Sequence, residues 1–177
     1  NKLIDPNEII IDSKSGYSGA GKKFNLNNIL KNQKYNFYNY NTNNHRHICE
    51  IKQQLEKYTK SVINFSFNPH ILPIFRGMMS TMYLNLNDSI NLKDIEDCLL
   101  QFDKDNQFIN YSTGNENFDF FKIQKTNNCN IKIFKHFNKS KIILVSLIDN
   151  LLKGAAGQAV QSMNIMCDFD EKKALNL

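Results

Sequence analysis

Strand-like and helical segments follow one another along this chain without regular alternation, and that order constrains the fold more than any other feature. Six segments are apolar or alternate with a period of two, as strands of a half-buried sheet do: Glu8–Asp12, Tyr35–Tyr40, Val62–Phe67, Met79–Leu86, Ile131–Phe137 and Lys141–Ile148. Four others favour helix: Leu26–Asn32 weakly, Cys49–Lys60, Leu92–Phe102 and Asp149–Cys167. Because no βαβ unit repeats, we predict an α+β fold with helices packed on one face of a mixed or antiparallel sheet.

The composition fits one globular unit with a sizeable core. Of the 177 residues 41% are hydrophobic, and 13 are Phe and 7 are Tyr. The net charge is +5, but the lysines are scattered from Lys2 to Lys173, and Arg46 and Arg76 are the only arginines. No basic run carries interleaved aromatics, so small anions are better supported as ligands than nucleic acid.

The spacing of the cysteines indicates the compartment. Cys49, Cys98, Cys129 and Cys167 lie far apart and form no C-x-x-C pair, which disfavours a zinc knuckle or a disulfide framework and favours a reducing cytoplasm. No window approaches the roughly 18 apolar residues of a membrane helix, so we expect no membrane partner. The sequence begins without Met and enters a strand almost at once, so we expect further residues upstream.

The first candidate motif is Ser15–Lys22, S-G-Y-S-G-A-G-K, which directly follows a predicted strand. Its small residues allow backbone N–H groups to approach an anion, as in phosphate-binding turns. The spacing matches neither G-x-G-x-x-G nor a Walker loop, so a flexible connector is an equal alternative.

The second motif is Asn44–Ile51, N-H-R-H-I-C-E-I, at the head of a predicted helix. A metal site, a catalytic acid/base, an anion clamp and a solvated helix start all fit this composition. Metal is disfavoured because His45 and His47 have no third ligand at a recognisable spacing. His47 suits proton transfer near neutral pH, and Glu50 lies one helical turn away, where it could hold the imidazole.

The third motif, Phe67–Gly77, reads F-N-P-H-I-L-P-I-F-R-G. The two prolines that bracket His70 predict a rigid segment that ends the strand and delivers Arg76, either as structure or as part of a site. The fourth motif, Asp149–Asn164, places glycines and alanines inside a helical pattern. Such small residues permit close approach of another element or of a flat ligand.

In this order the four motifs resemble N-acetyl-gamma-glutamyl-phosphate reductase, the arginine-biosynthesis family among the aldehyde dehydrogenases related to aspartate-semialdehyde dehydrogenase. The resemblance extends over essentially the whole chain. The matching stretches are S-G-Y-S-G-A-G, H-R-H-x-x-E-I, F-x-P-H-I-L-P-x-x-R-G and K-G-A-A-G-Q-A-V-Q-x-M-N.

The resemblance implies a two-part enzyme whose other part is a Rossmann domain that binds NADP and carries a nucleophilic cysteine. Neither a dinucleotide fingerprint nor that cysteine motif occurs here, and Cys49 stands where the family usually has Pro. Residues 1–148 would be the substrate-binding and dimerisation domain, and residues 149–177 a C-terminal helix that returns to the missing Rossmann domain. A cytoplasmic homodimer or homotetramer is implied, and the fragment alone would be inactive.

The resemblance also implies roles for single residues. His47 would be the acid/base, with Glu50 as the group that orients it. The substrate would be bound by Tyr40, His45, Arg46, His70 and Arg76. The residues that would contact NADP are Ser15, Gly16, Ser18, Gly19, Gly157, Gln158 and Asn164. No metal is implied.

Three alternatives stay open at this stage. A reductase of carrier-bound aminoadipyl phosphate would share all four motifs. Aspartate-semialdehyde dehydrogenase itself fits less well, because it lacks the H-R-H and K-G-A-A-G-Q-A-V-Q wording together. A non-catalytic assembly module is the third alternative, and the presence of both His47 and Glu50 argues against it.

Overall fold

The computed structural model of the chain describes residues 3–21, 25, 27, 30–31, 34–115 and 117–176. Within them a mixed seven-stranded sheet has the order β4-β5-β1-β6-β9-β8-β7, and β2 and β3 form a separate ribbon. The strands are β1 Ile9–Gly16, β2 Leu30–Lys31, β3 Lys34–Tyr35, β4 Tyr38–Asn39, β5 Phe65–Leu72, β6 Met78–Asn85, β7 Ile109–Tyr111, β8 Cys129–Lys135 and β9 Lys141–Ile148. The helices are α1 Ile48–Thr59, α2 Leu92–Asp105 and α3 Gly157–Met166, with a π-helical turn at Leu152–Ala156.

Side-chain alternation gives the sheet two unlike faces. On one face residues such as Ile11, Phe67 and Leu84 are buried, and α1 and α2 cover them with apolar side chains that include Leu55 and Ile95. This arrangement confirms the predicted α+β fold. The other face carries a ladder of exposed apolar residues across β1, β6 and β8, which we call the open face: Ile10, Tyr83 and Phe134.

Local sequence explains where α2 begins. Asn91 is its N-cap, and the Asn91 side chain accepts hydrogen bonds from the backbone N–H groups of Lys93 and Asp94. The Asp94 carboxylate accepts the N–H of Asn91 in return, which completes a capping box. Every helix in the described residues is too short or too polar to cross a membrane.

Strand β5 does not end at Phe67, as predicted, but continues through Pro69 to Leu72. The reason is the direction in which Pro69 faces. Its carbonyl accepts the N–H of Tyr40, so the position where Pro lacks an N–H points to the same side, towards the residue that follows the edge strand β4. The hydrogen bonds that join β5 to β1 on the other side are therefore not interrupted.

Other differences lie in short or irregular segments. The predicted strand Tyr35–Tyr40 is replaced by the end of β3 and the two-residue β4. The weak helix at Leu26–Asn32 falls mostly outside the described residues, and its part at Leu30–Lys31 is a strand. The three-residue β7 was not predicted. The last helix becomes regular only at Gly157, because the turn before it has hydrogen bonds of π-helical spacing.

Candidate active site

A cavity of about 570 Å³ lies where β1 and β5 end, on the side of the sheet that the helices cover. This volume suits a metabolite or part of a cofactor. All four motifs contribute to its lining. The lining residues from the motifs include Ser15, Gly19, His45, Arg46, His47, Pro69, His70, Asn150 and Gly154. Tyr38 and Tyr40 are among the other residues that line it.

Tyr40, His45 and His47 form what we call the histidine cluster. The His47 backbone N–H donates to His45 Nδ1 at 3.2 Å, and His45 Nε2 lies 3.3 Å from the Tyr40 hydroxyl. The two imidazole rings meet edge to face at 4.8 Å between centroids, and Phe67 contacts His45 at 5.4 Å. His45 is therefore held on several sides, whereas the exposed His47 is free to meet a ligand.

The cluster also tunes the proton affinities of its members. Burial lowers the pKa of His45, and the neighbouring His47 and Arg46 lower that pKa further. Burial raises the pKa of Tyr40, against the opposing effect of Arg46. His45 is thus neutral at neutral pH, and because its Nδ1 accepts a hydrogen bond, its proton is on Nε2 and points to Tyr40.

Glu50 lies in the first turn of α1 and is exposed. Among the described residues no hydrogen bond joins its carboxylate to His47, so the predicted orienting contact is not formed in this structure. A carboxylate at this position also favours the helix through the N-terminal end of its dipole. The role of Glu50 in catalysis stays a prediction.

Asn150 holds the Gly-rich segment, which is the first motif and begins at Ser15, beside the cavity. Sequence reasoning missed Asn150. The Asn150 side chain donates to Ser18 Oγ at 2.8 Å and accepts the N–H of Gly77 at 2.7 Å. Gly19 packs so closely that a Cβ there would lie 2.8 Å from Ser15 Oγ. The one available signal was the position of Asn150, polar and directly before the small residues of the fourth motif.

Asp149 is fully buried and collects four donors, an arrangement that we call the Asp149 node. Its carboxylate accepts the N–H groups of Lys125 at 2.8 Å, Leu151 at 2.8 Å and Leu152 at 3.1 Å. The Arg76 guanidinium lies 3.3 Å from the same carboxylate. Arg76 therefore has an internal partner and does not line the cavity. Sequence reasoning missed Asp149 as well.

His70 borders the cavity, but its imidazole lies on the opposite face of the sheet from Pro69 and Ile71. Its Nδ1 is 3.2 Å from Asp12 Oδ1, a distance that suits an ion pair although the two groups are not aligned as a hydrogen bond. Asp12 also contacts Lys14 and accepts a hydrogen bond from Asn68. The His70 side chain thus has partners within this chain, away from the histidine cluster.

A comparison with known families decides what kind of domain holds this cavity. The sequence model described as "Semialdehyde dehydrogenase, dimerisation domain" matches residues 1–150. The chain belongs to this family.

Relatives of this semialdehyde dehydrogenase domain confirm the resemblance drawn from the motifs. Proteins named N-acetyl-gamma-glutamyl-phosphate reductase are 40% identical over 177 residues in Clostridium botulinum (strain Alaska E43 / Type E3) and 42% identical over 175 residues in Caldicellulosiruptor bescii. These alignments cover 100% and 99% of this chain but 52% and 51% of the relatives. The chain thus spans about half the length of the curated relatives it matches.

Solved structures share the fold. Aspartate semialdehyde dehydrogenase II from Vibrio cholerae, complexed with ASA, superposes with a TM-score of 0.71 at 17% identity, over 91% of this chain and 55% of that one. A probable aspartate-semialdehyde dehydrogenase from Pseudomonas aeruginosa gives 0.71 at 14% identity, over 93% and 56%. At such low identity the likeness concerns the fold alone.

The fourth motif divides into two parts in the structure. Gly154 lines the cavity and is exposed. Gly157 is buried, and a Cβ there would lie 2.2 Å from Asn127 Oδ1. Asn164 is buried too, and donates to the carbonyls of Glu171 and Lys173. The exposed Gln158 lies near Ser162, 3.4 Å from its hydroxyl. Only the first part of the motif therefore reaches the cavity.

Proposed function

We propose that this chain is the substrate-binding and dimerisation part of an NADPH-dependent reductase. The enzyme converts N-acetyl-gamma-glutamyl phosphate to N-acetylglutamate 5-semialdehyde and phosphate, a step of arginine biosynthesis. The observation that carries the proposal is the shared cavity, which joins the histidine cluster to the Gly-rich segment and to Gly154. The names of the relatives, which are about 40% identical over the whole chain, support the same substrate.

In this proposal the nucleophilic cysteine belongs to the other part of the enzyme and forms a thioester as phosphate leaves. His47 holds the proton that the reacting carbonyl oxygen takes up, and accepts it back when the aldehyde is released. His45 holds His47 in place, because His45 Nδ1 accepts the backbone N–H of His47 and the two imidazole rings pack together. Arg46 is exposed at the cavity and binds the phosphate or the carboxylate of the substrate.

NADP is the cofactor that we assign to this enzyme, and it supplies hydride when bound. The residues present fit its nicotinamide side, because Gly154 borders the cavity and Ala155 and Ala156 are exposed beside it without bulky side chains. Ser15 and Gly19 line the same cavity. The contacts predicted for Gly16, Ser18, Gly157, Gln158 and Asn164, and the substrate contacts of His70 and Arg76, stay predictions.

The division at residue 148 is also part of the proposal, with residues 149–177 returning to the NADP-binding part. The open face then forms the contact between two copies of residues 1–148. Ile10 is 48% exposed and Tyr83 and Phe134 are each 39% exposed, more apolar surface than a free sheet face favours. Sedimentation of the full-length protein should give a dimer or tetramer, and Tyr83→Lys should shift it towards monomer. A monomeric parent at tens of micromolar, roughly the range of weak dimers, contradicts this part.

Activity of the full-length enzyme tests the reaction. We expect NADPH-dependent reduction of N-acetylglutamyl phosphate with release of phosphate, and little reduction of aspartyl phosphate or of carrier-bound aminoadipyl phosphate. Residues 1–177 alone should give no turnover. Preference for the aminoadipyl substrate would assign the alternative reaction, and turnover by residues 1–177 alone would refute the two-part division.

A further inference from the structure

A second cavity, distinct from the candidate active site, lies on the helix-covered side of the sheet. Its volume is about 500 Å³, and it is formed where the start of α2 meets the hairpin between β8 and β9. The apolar side chains of Ile90, Leu92 and Ile142 contribute to its wall. It shares no lining residue with the active-site cavity.

The rest of the lining is basic. Lys93 comes from the first turn of α2, Lys135 from the end of β8 and Lys139 from the hairpin turn, and all three are exposed. In the described part of the chain no ion pair involves any of them. Lys141 also borders the cavity, but strand alternation directs its side chain to the open face beside Tyr83, so we do not count it.

Two further groups define what the cavity can bind. His136 Nδ1 accepts the backbone N–H of Asn138 at 3.0 Å, so its Nε2 carries the proton and is available as a donor. The helix N-terminus contributes little, because Asn91 already accepts the N–H groups of Lys93 and Asp94. No carboxylate of the residues that the structure describes lines the cavity. Binding would therefore rely on three ammonium groups and one imidazole N–H.

We propose that this cavity binds a small anion that combines several phosphate charges with an uncharged body, the chemistry of a nucleoside triphosphate. The lysines supply point charges for phosphate oxygens, and the apolar wall receives the uncharged part of the ligand. The concave shape and the volume suit a small molecule. A nucleic acid duplex fits less well, because no arginine, Phe, Tyr or Trp of the described residues lines the cavity.

Calorimetric titration of the full-length protein with ATP tests the proposal, with NADP present to fill any dinucleotide site. Tripolyphosphate serves as a second probe that has the charges without the uncharged nucleoside. We expect ATP to bind more tightly than tripolyphosphate, and the double variant Lys135→Gln/Lys139→Gln to raise the Kd for ATP about tenfold or more. The matched control Lys104→Gln/Lys172→Gln removes the same charge from exposed positions elsewhere and should leave the Kd within about twofold.

Three outcomes would overturn the proposal. One is that the parent protein does not bind ATP at concentrations up to about 1 mM, the weakest range of a specific site. Another is that the two double variants weaken binding equally, which would mean diffuse attraction to the net positive charge. The third is that tripolyphosphate binds as tightly as ATP, which would refute the role of the apolar wall. None of these outcomes depends on the reductase activity proposed above.

Discussion

The histidine cluster and the Asp149 node are both rich in hydrogen-bonding groups, but they use them in opposite ways. In the cluster, His45 is fixed by its neighbours so that the exposed His47 can face the cavity. In the node, four donors converge on one carboxylate that no solvent reaches. The difference teaches that Arg46 and Arg76, the two arginines of the chain, have unlike tasks. One is open to a ligand, and the other already has a partner.

The largest effect should be a loss of stability at the Asp149 node. Asp149→Ala leaves the Arg76 guanidinium and three backbone N–H groups without their acceptor, and should lower the free energy of unfolding by about 3–5 kcal/mol. Urea denaturation of the full-length protein measures this loss. Asp97→Ala, at an exposed position of α2, is the control and should change the stability by less than about 0.5 kcal/mol. Equal stability of the two variants would show that the node is not a structural element.

In the histidine cluster, a substitution should reduce catalysis and not stability. His47→Ala should reduce kcat about a hundredfold or more with little change in substrate KM, because a proton donor acts in the transition state. The urea midpoint should stay close to that of the parent, since the His47 side chain is exposed. Glu50→Gln should lose much less activity, because within the described part of the chain the Glu50 carboxylate makes no hydrogen bond to His47. An unchanged kcat in His47→Ala would remove this residue from the mechanism.

The fourth motif allows a similar comparison between the buried Gly157 and the cavity-lining Gly154, which lie about one helical turn apart. Gly157→Ala places a Cβ 2.2 Å from Asn127 Oδ1 and 3.0 Å from the backbone of Leu152, so we expect a loss of about 1–3 kcal/mol in stability. At Gly154 the nearest atom to an added Cβ is 3.4 Å away. Gly154→Ala should therefore leave stability unchanged or slightly raised, and instead raise the KM for NADPH. The opposite pattern in the two variants would reverse the assignment of the two glycines.

The smallest effect concerns pH. The pKa of His45 is lowered in the folded state, chiefly by burial, so the unfolded state binds more protons below the ordinary pKa of about 6.5. Stability should thus fall as the pH drops from about 6.5 through the lowered folded pKa, with no contribution above that range. Between about pH 7.5 and 5.5, the His45→Gln variant should lose less stability than the parent in urea titrations. An identical pH slope in the two proteins would mean that His45 titrates normally.

Much of this protein could be predicted from local patterns. Strand β9 has the predicted bounds Lys141–Ile148, because period-two alternation along one buried segment is a local property. The same alternation put Leu84 and Tyr83 on opposite faces of their strand, and the structure shows Leu84 in the core and Tyr83 on the open face. The four motifs were recognisable because each combines residues with unusual backbone or proton chemistry, and they led to the correct family.

The tertiary structure decided how those residues are used. Arg76 and His70 are as basic in sequence as Arg46 and His47, but Asp149 and Asp12, which lie 73 and 58 positions away along the chain, take them as partners. Asn150 and the Asp149 node were missed for the same reason. Which donor meets which acceptor depends on the register of distant strands and on the π-helical turn, and a hydrogen bond requires a match within a few tenths of an ångström that no local pattern encodes.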